Sequence, residues 1–153
     1  MIDTLFSDVN ISTSKKEDIQ LNTEQFFINF INQLEGWKTK CKNLHLSAPQ
    51  MGGDNIHTRL DEYLEILSEF QDSIAEDYQA TLGDMNPNAM KGIPCDSLNA
   101  LDFIREVMIK TKEFYNKIPQ EVDYVGIKSE TETFIHNTKK YTYLFRKCNV
   151  KPY

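Results

Sequence analysis

The chain has 153 residues, with 40% hydrophobic and 26% charged side chains and a formal charge of −6, the profile of one soluble globular domain. A pI near 5.1 argues against a surface built throughout to hold phosphate, and apolar runs of only two or three residues leave no membrane span. The opening MIDTLFSDVN lacks the basic start of a signal peptide. Cys41, Cys95 and Cys148 form no CxxC pair, which fits a reducing, cytoplasmic setting without a thiolate zinc site.

Residues 1–21 are polar and mixed and read as a flexible N-terminal tail ahead of one domain over 22–153. The first helix is predicted to start at Asn22 or Thr23, with Glu24 in its first turn. Phe26, Phe27, Phe30, Ile31, Leu34, Trp37 and Cys41 recur three and four apart, as one buried face requires. Ser47-Ala48-Pro49 stops it near Leu46. Met51-Gly52-Gly53 reads as a short loop, and Asp54 or Asn55 caps the next helix.

The second helix is predicted over 56–81, closed by Gly83, with Ile56, Leu60, Tyr63, Leu67, Phe70, Ile74 and Tyr78 as its core seam. Residues 82–97 are rich in Gly, Pro, Asn and Asp and read as a long connection crossing the end of a bundle. There Met85, Met90 and Cys95 read as loop and cap packing. A third helix from about Asp96 to Lys117 is predicted to bury Leu98, Leu101, Ile104, Met108 and Phe114. A fourth, from Glu121 or Ser129 to Cys148, uses Phe134, Tyr141, Leu144 and Phe145. No strand-like alternation competes. The fold class is therefore all-α, a four-helix bundle whose long second connection matches the ferritin-like arrangement.

Three histidines are available for chemistry. His136 lies among charged neighbours on the fourth helix and reads as an exposed helical side chain. His45 and His57 are accompanied by Asp61, Asp72 and Glu76. On a wheel counted from Ile56, His57, Asp61, Asp72 and Glu76 fall at about 100°, 140°, 160° and 200°, one face turned away from the core seam. A di-iron centre inside the bundle would use Glu-x-x-His pairs, and none occurs.

Along the helix roughly 22 Å separates His57 from Asp72, too far for one metal. Positions 57 and 76 nevertheless share their midpoint with 61 and 72, between Ile66 and Leu67. Two antiparallel copies of this helix about a two-fold axis there would bring each His57 to the other's Glu76 and each Asp61 to the other's Asp72. Two equivalent sites would then form from split halves. Imidazole and carboxylate together suit iron and also accept zinc or manganese, and His45 can supply a second imidazole.

The spacing His45, His57, Asp61, Asp72 and Glu76, with Leu60-Asp61-Glu62-Tyr63 and Asp72-Ser73-Ile74-Ala75-Glu76 around it, resembles the Dps family, or mini-ferritins, over about residues 37–83. The resemblance implies a di-iron site shared across a two-fold interface. In it Glu76 bridges two metal positions, Asp72 and His45 complete one, and His57 and Asp61 from the partner hold the other. It implies oxidation of Fe(II), often by hydrogen peroxide and otherwise by oxygen, inside a hollow homo-oligomer that sequesters iron and protects against oxidative stress.

This chain departs from that pattern in two places. Leu46 stands where the family often has Trp, so an electron-donor role for that indole is not carried over, and Trp37 reads as a core aromatic. The connection at 82–97 is short for a full helix, which bears on a twelve-subunit cage. Lys15 and Lys16 sit beside Glu17 and Asp18, a solvated tail that argues against the DNA binding known for some members. The competing expectation is a ferritin-like bundle without redox chemistry, serving as a structural or protein-interaction module.

Overall fold

A computed structural model of the chain describes residues 2–49 and 55–148. Helix α1 spans Ile2–Ser47, α2 Ile56–Leu82, α3 Ala100–Lys117 and α4 Val125–Cys148, with a 3₁₀ turn at Val122–Tyr124 leading into α4. No strand occurs among the described residues.

The expected start of the first helix at Asn22 or Thr23 is corrected: α1 begins at Ile2. No proline or glycine precedes Gly36, so nothing in the backbone ends a helix there, and Asn22 and Thr23 sit inside it rather than capping it. The expected loop at Met51-Gly52-Gly53, with Asp54, lies outside the described residues. Asn55 is the α2 cap, its side chain accepting the Thr58 N–H at 2.9 Å. At the other end Gly83 adopts φ 110°, open to glycine at no steric cost, and its N–H reaches the Gln79 carbonyl at 3.0 Å.

Each helix buries one stripe, and the stripes meet in a four-membered ring: α1 on α2, α2 on α4, α4 on α3, and α3 back on α1. Pairings along the helices give their directions. His45 meets His57 while Phe27 meets Tyr78, so α2 runs against α1. Phe70 stacks on Phe134 at 4.1 Å and Tyr63 lies by Phe145, so α4 runs against α2. Phe114 stacks on Phe30 at 3.7 Å, and Phe103 packs edge-on to Tyr63, so α3 runs with α2. Two interior polar side chains tie helices together: the fully buried Tyr63 hydroxyl pairs with Thr138 Oγ1 at 2.8 Å, and Gln71 bridges the Ile31 carbonyl and Glu35 while accepting from Lys38.

Residues 83–99 lie along the flank of α1 rather than over the end of the bundle. Lys91 N–H donates to Asn32 Oδ1 at 2.8 Å, and Ile93 N–H donates to the Asn32 carbonyl at 3.0 Å. Further on, Pro94 and Cys95 face Thr39 and Asn43 across a shallow cleft. Gly36 makes this approach possible, since a Cβ there would stand 1.6 Å from the Ile93 carbonyl oxygen.

The predicted buried set of α3 is also corrected. Ile104 and Phe114 are buried, but Leu98 precedes the helix at 89% exposure, and Leu101 and Met108 are half-buried. The inward stripe is Ala100, Phe103, Ile104, Val107, Thr111 and Phe114. Asn99 sets that phase by capping the Asp102 N–H while its own amide donates to the Asp102 carboxylate. In α4, Phe134, Tyr141 and Phe145 are buried as expected, joined by Ile127, Thr131 and Thr138, with Leu144 half-buried.

Candidate metal centre

The α1–α2 hairpin places two imidazoles against each other. The apolar stripe of α1 continues from Trp37 through Cys41 to His45, which is 8% exposed. From the start of α2, His57 reaches back so that the two rings stack with centroids 3.8 Å apart and planes 24° from parallel. His45 Nδ1 donates to the His57 carbonyl at 2.7 Å, and His57 Nδ1 donates to the His45 carbonyl at 2.7 Å. A carbonyl only accepts, so both hydrogens sit on Nδ1 and both Nε2 atoms keep a lone pair in the neutral rings. This is the backbone-held orientation that metal-binding histidines use.

Asp61, one turn after His57 on the same side of α2, brings Oδ1 to 3.8 Å from His45 Nε2. Two donors each about 2.1 Å from one ion stand roughly 3–4 Å apart, so this pair has the separation a shared cation needs. Cys41 is one turn before His45, but its Sγ–H donates to the Leu60 carbonyl at 3.2 Å. Burial first, then the Asp61 charge, pushes that thiol up to about 12. It is a packed thiol, not a thiolate ligand.

Asp72 and Glu76 are exposed on the outer side of α2. Along the axis Asp72 stands about 16 Å beyond Asp61, and Glu76 about 28 Å beyond His57. Among the described residues, no three His, Cys, Asp or Glu side chains gather where one metal could be held within a single chain. The structure thus sets His45 against His57 and near Asp61, and leaves Asp72 and Glu76 apart. Within one chain, closure of the hairpin sets His45 against His57 and apart from Asp72. His136 is exposed on α4, as expected.

Sequence reasoning missed a second carboxyl pair beside Glu76. Glu130 of α4 hydrogen-bonds Asp77 of α2, and burial, then the Asp77 charge, then that bond hold its pKa above the usual carboxylate range. Its Oε2 is buried without a hydrogen-bond partner. Asp77 in turn lies against the first turn of α4, where a Cβ at Gly126 would come within 2.8 Å of its Oδ2. That turn has no acidic residue of its own, so Asp77 supplies the negative charge its dipole favours. Gly126 near the predicted start of the helix was the available sequence signal. Closer to the imidazoles, Arg59 Nη1 and the Tyr141 hydroxyl both donate to Glu62 Oε2, at 3.1 and 3.0 Å, tying α4 to the same end of α2.

No helix among the described residues is long and apolar enough to cross a membrane. No family model, curated protein or solved structure matches the chain.

Proposed function

We propose that the chain is a Dps-like iron oxidase, with ferritin-like bundle topology, that acts as a two-fold dimer through the outer face of α2. The observation that carries this reading is the reciprocal His45–His57 clasp, which leaves both Nε2 atoms without a hydrogen and sets that of His45 3.8 Å from Asp61 Oδ1. Asp72 and Glu76 stand at mirrored positions about the midpoint of the same face. An antiparallel second copy would offer its Asp72 and Glu76 to the His45, His57 and Asp61 of the first, at the axis separation of 8–10 Å usual for packed helices.

The donor set fits Fe(II) as substrate. Two neutral imidazoles and three carboxylates nearly balance the charge of two ferrous ions and leave positions for an oxidant, and zinc or manganese would compete for the same donors. Each Fe(II) gives one electron to hydrogen peroxide. The O–O bond breaks, two protons are taken up and two waters leave. The residues would hold the two ions near each other, Glu76 serving, as the resemblance implies, as a carboxylate shared between them. Asp61, Glu65, Glu69, Asp72 and Glu76, exposed along α2, draw cations to that face. Assembly into a larger hollow homo-oligomer for iron sequestration belongs to the same reading.

The test is anaerobic Fe(II) titration by calorimetry followed by peroxide addition with absorbance detection. Saturation near two irons per chain followed by rapid oxidation is expected. His57→Ala and Glu76→Ala should each abolish binding with helicity intact. A mixture of the two variants should regain up to half the sites of the mixed dimers, because one site of each such pair carries both defects and the other neither. No binding by the folded parent would leave a bundle without redox chemistry. Binding by both variants at the parent's level would refute the shared site.

A further inference from the structure

On the side of the bundle away from the α1–α2 hairpin, α3 and α4 enclose a groove of about 520 Å³ lined by Arg105, Met108, Ile109, Lys139, Tyr143 and Arg146, with Thr142 between them. Its floor is apolar and open. Ile109 is 59% and Tyr143 49% exposed, large side chains that a bundle surface would ordinarily carry singly rather than facing one another. Its rim is cationic, with no acidic residue in the lining. The Arg146 guanidinium and the Lys147 ammonium both approach the Tyr143 ring, 5.8 and 5.6 Å from its centroid. Beside the rim, Asp102 touches Arg105 at 4.0 Å with both side chains about 60% exposed, a contact too solvated to neutralise the rim.

The complement to this groove is in the chain itself. Residues 1–14 contain two acids, Asp3 and Asp8, and no base. Ile2, Leu5, Phe6 and Val9 recur at the i, i+3, i+4, i+7 spacing by which an amphipathic helix anchors in a groove. The segment belongs to α1, which is helical from Ile2 and unbroken by proline or glycine up to Gly36. α1 packs on α2 and α3 and the groove lies between α3 and α4, so the matching groove is taken as that of another molecule.

We infer that the first turns of α1 dock into the α3–α4 groove of a second copy of this chain, with Leu5 and Phe6 against Ile109 and Tyr143 and with Asp3 and Asp8 facing Arg105, Lys139 and Arg146. This contact is heterologous and separate from the outer face of α2. If the exchange is reciprocal it closes a pair; if not, it propagates from copy to copy.

The test is the mass of the full chain by light scattering after size exclusion, at low and high salt. The substitutions are Leu5→Asp with Phe6→Asp, Arg105→Glu with Arg146→Glu, Asp3→Lys with Asp8→Lys, and the two charge reversals combined. The parent should form larger assemblies than the apolar substitution or either charge reversal alone. Each of those three should weaken assembly about a hundred-fold in midpoint concentration, leaving whatever α2 pairing exists. The combined reversal should restore it. These substitutions leave the iron ligands untouched, so iron binding by the substituted chains reports separately on the proposed metal centre. Equal masses for the parent and all substituted chains, or no recovery in the combined reversal, would overturn the inference.

Discussion

Gly36→Ala has an outcome whose sign depends on a single packing feature. In an isolated helix the change stabilises by about 1 kcal/mol, because alanine loses less backbone freedom. In this bundle the new Cβ would stand 1.6 Å from the Ile93 carbonyl oxygen. Restoring van der Waals separation requires the 83–99 connection to retreat by about 2 Å. That movement breaks the 3.0 Å bond from Ile93 N–H to the Asn32 carbonyl and strains the neighbouring 2.8 Å bond from Lys91 N–H to Asn32 Oδ1, at about 1 kcal/mol each. Residual overpacking adds to this, for a net destabilisation of about 1–3 kcal/mol once the helix gain is subtracted. Urea denaturation followed by far-UV circular dichroism gives the sign, and amide exchange at Ile93 and Lys91 should speed up well beyond the global change. A substituted chain about 1 kcal/mol more stable than the parent, with both amides still protected, would mean that the connection does not lie on α1 at Gly36.

Other expectations test other contacts. Glu130→Gln should raise stability at neutral pH by up to about 1 kcal/mol, since it removes a like charge beside Asp77. The Glu130 pKa is raised in the folded chain, so its contribution is full below the ordinary glutamate value and lost as pH rises through the folded one; Tm against pH should fall less steeply over that interval once Gln replaces it. Cys41, pushed up to about 12 mainly by burial, should be alkylated far more slowly than in the denatured chain, as peptide mass spectrometry would show. Its effect on stability should appear as a decline between pH 9 and 12, where the unfolded thiol ionises and the folded one does not. Asn99→Ala, which removes the cap on α3, should cost about 1 kcal/mol in chemical denaturation. An unchanged midpoint would mean that Asp102 does not depend on that cap.

The helices were legible to the degree that large side chains mark their buried faces. In α2 the seam from Leu60 to Tyr78 is large and apolar apart from Gln71, and Asn55 and Gly83 bracket it, so element, face and ends can be read from the sequence. In α3 the inward stripe includes Ala100, Val107 and Thr111. Counting large hydrophobes therefore favours Leu98 and Met108, one position out of phase with the Asn99 cap. In α1 the polar composition before Asn22 suggests an end where the backbone contains no breaker.

For the candidate site, residue type and interval located His45, His57 and Asp61. Their mutual arrangement depends on how tightly the α1–α2 hairpin closes, which no spacing encodes. Spacing does not pair Asp77 with Glu130 for a related reason: they lie on different helices, and only the approach of α4 at Gly126 brings them together.

The two imidazole–carbonyl bonds between His45 and His57 also act as a clasp across the base of the hairpin. Once they form, the chain between the two histidines is a closed loop whose ends are fixed independently of its length. Extending it then adds only the logarithmic entropy of a longer loop, about 0.6 kcal/mol per doubling. Residues added between the two histidines should therefore leave α1 packed on α2. The same insertion in a His57→Ala chain would lack the clasp and should be much less well tolerated.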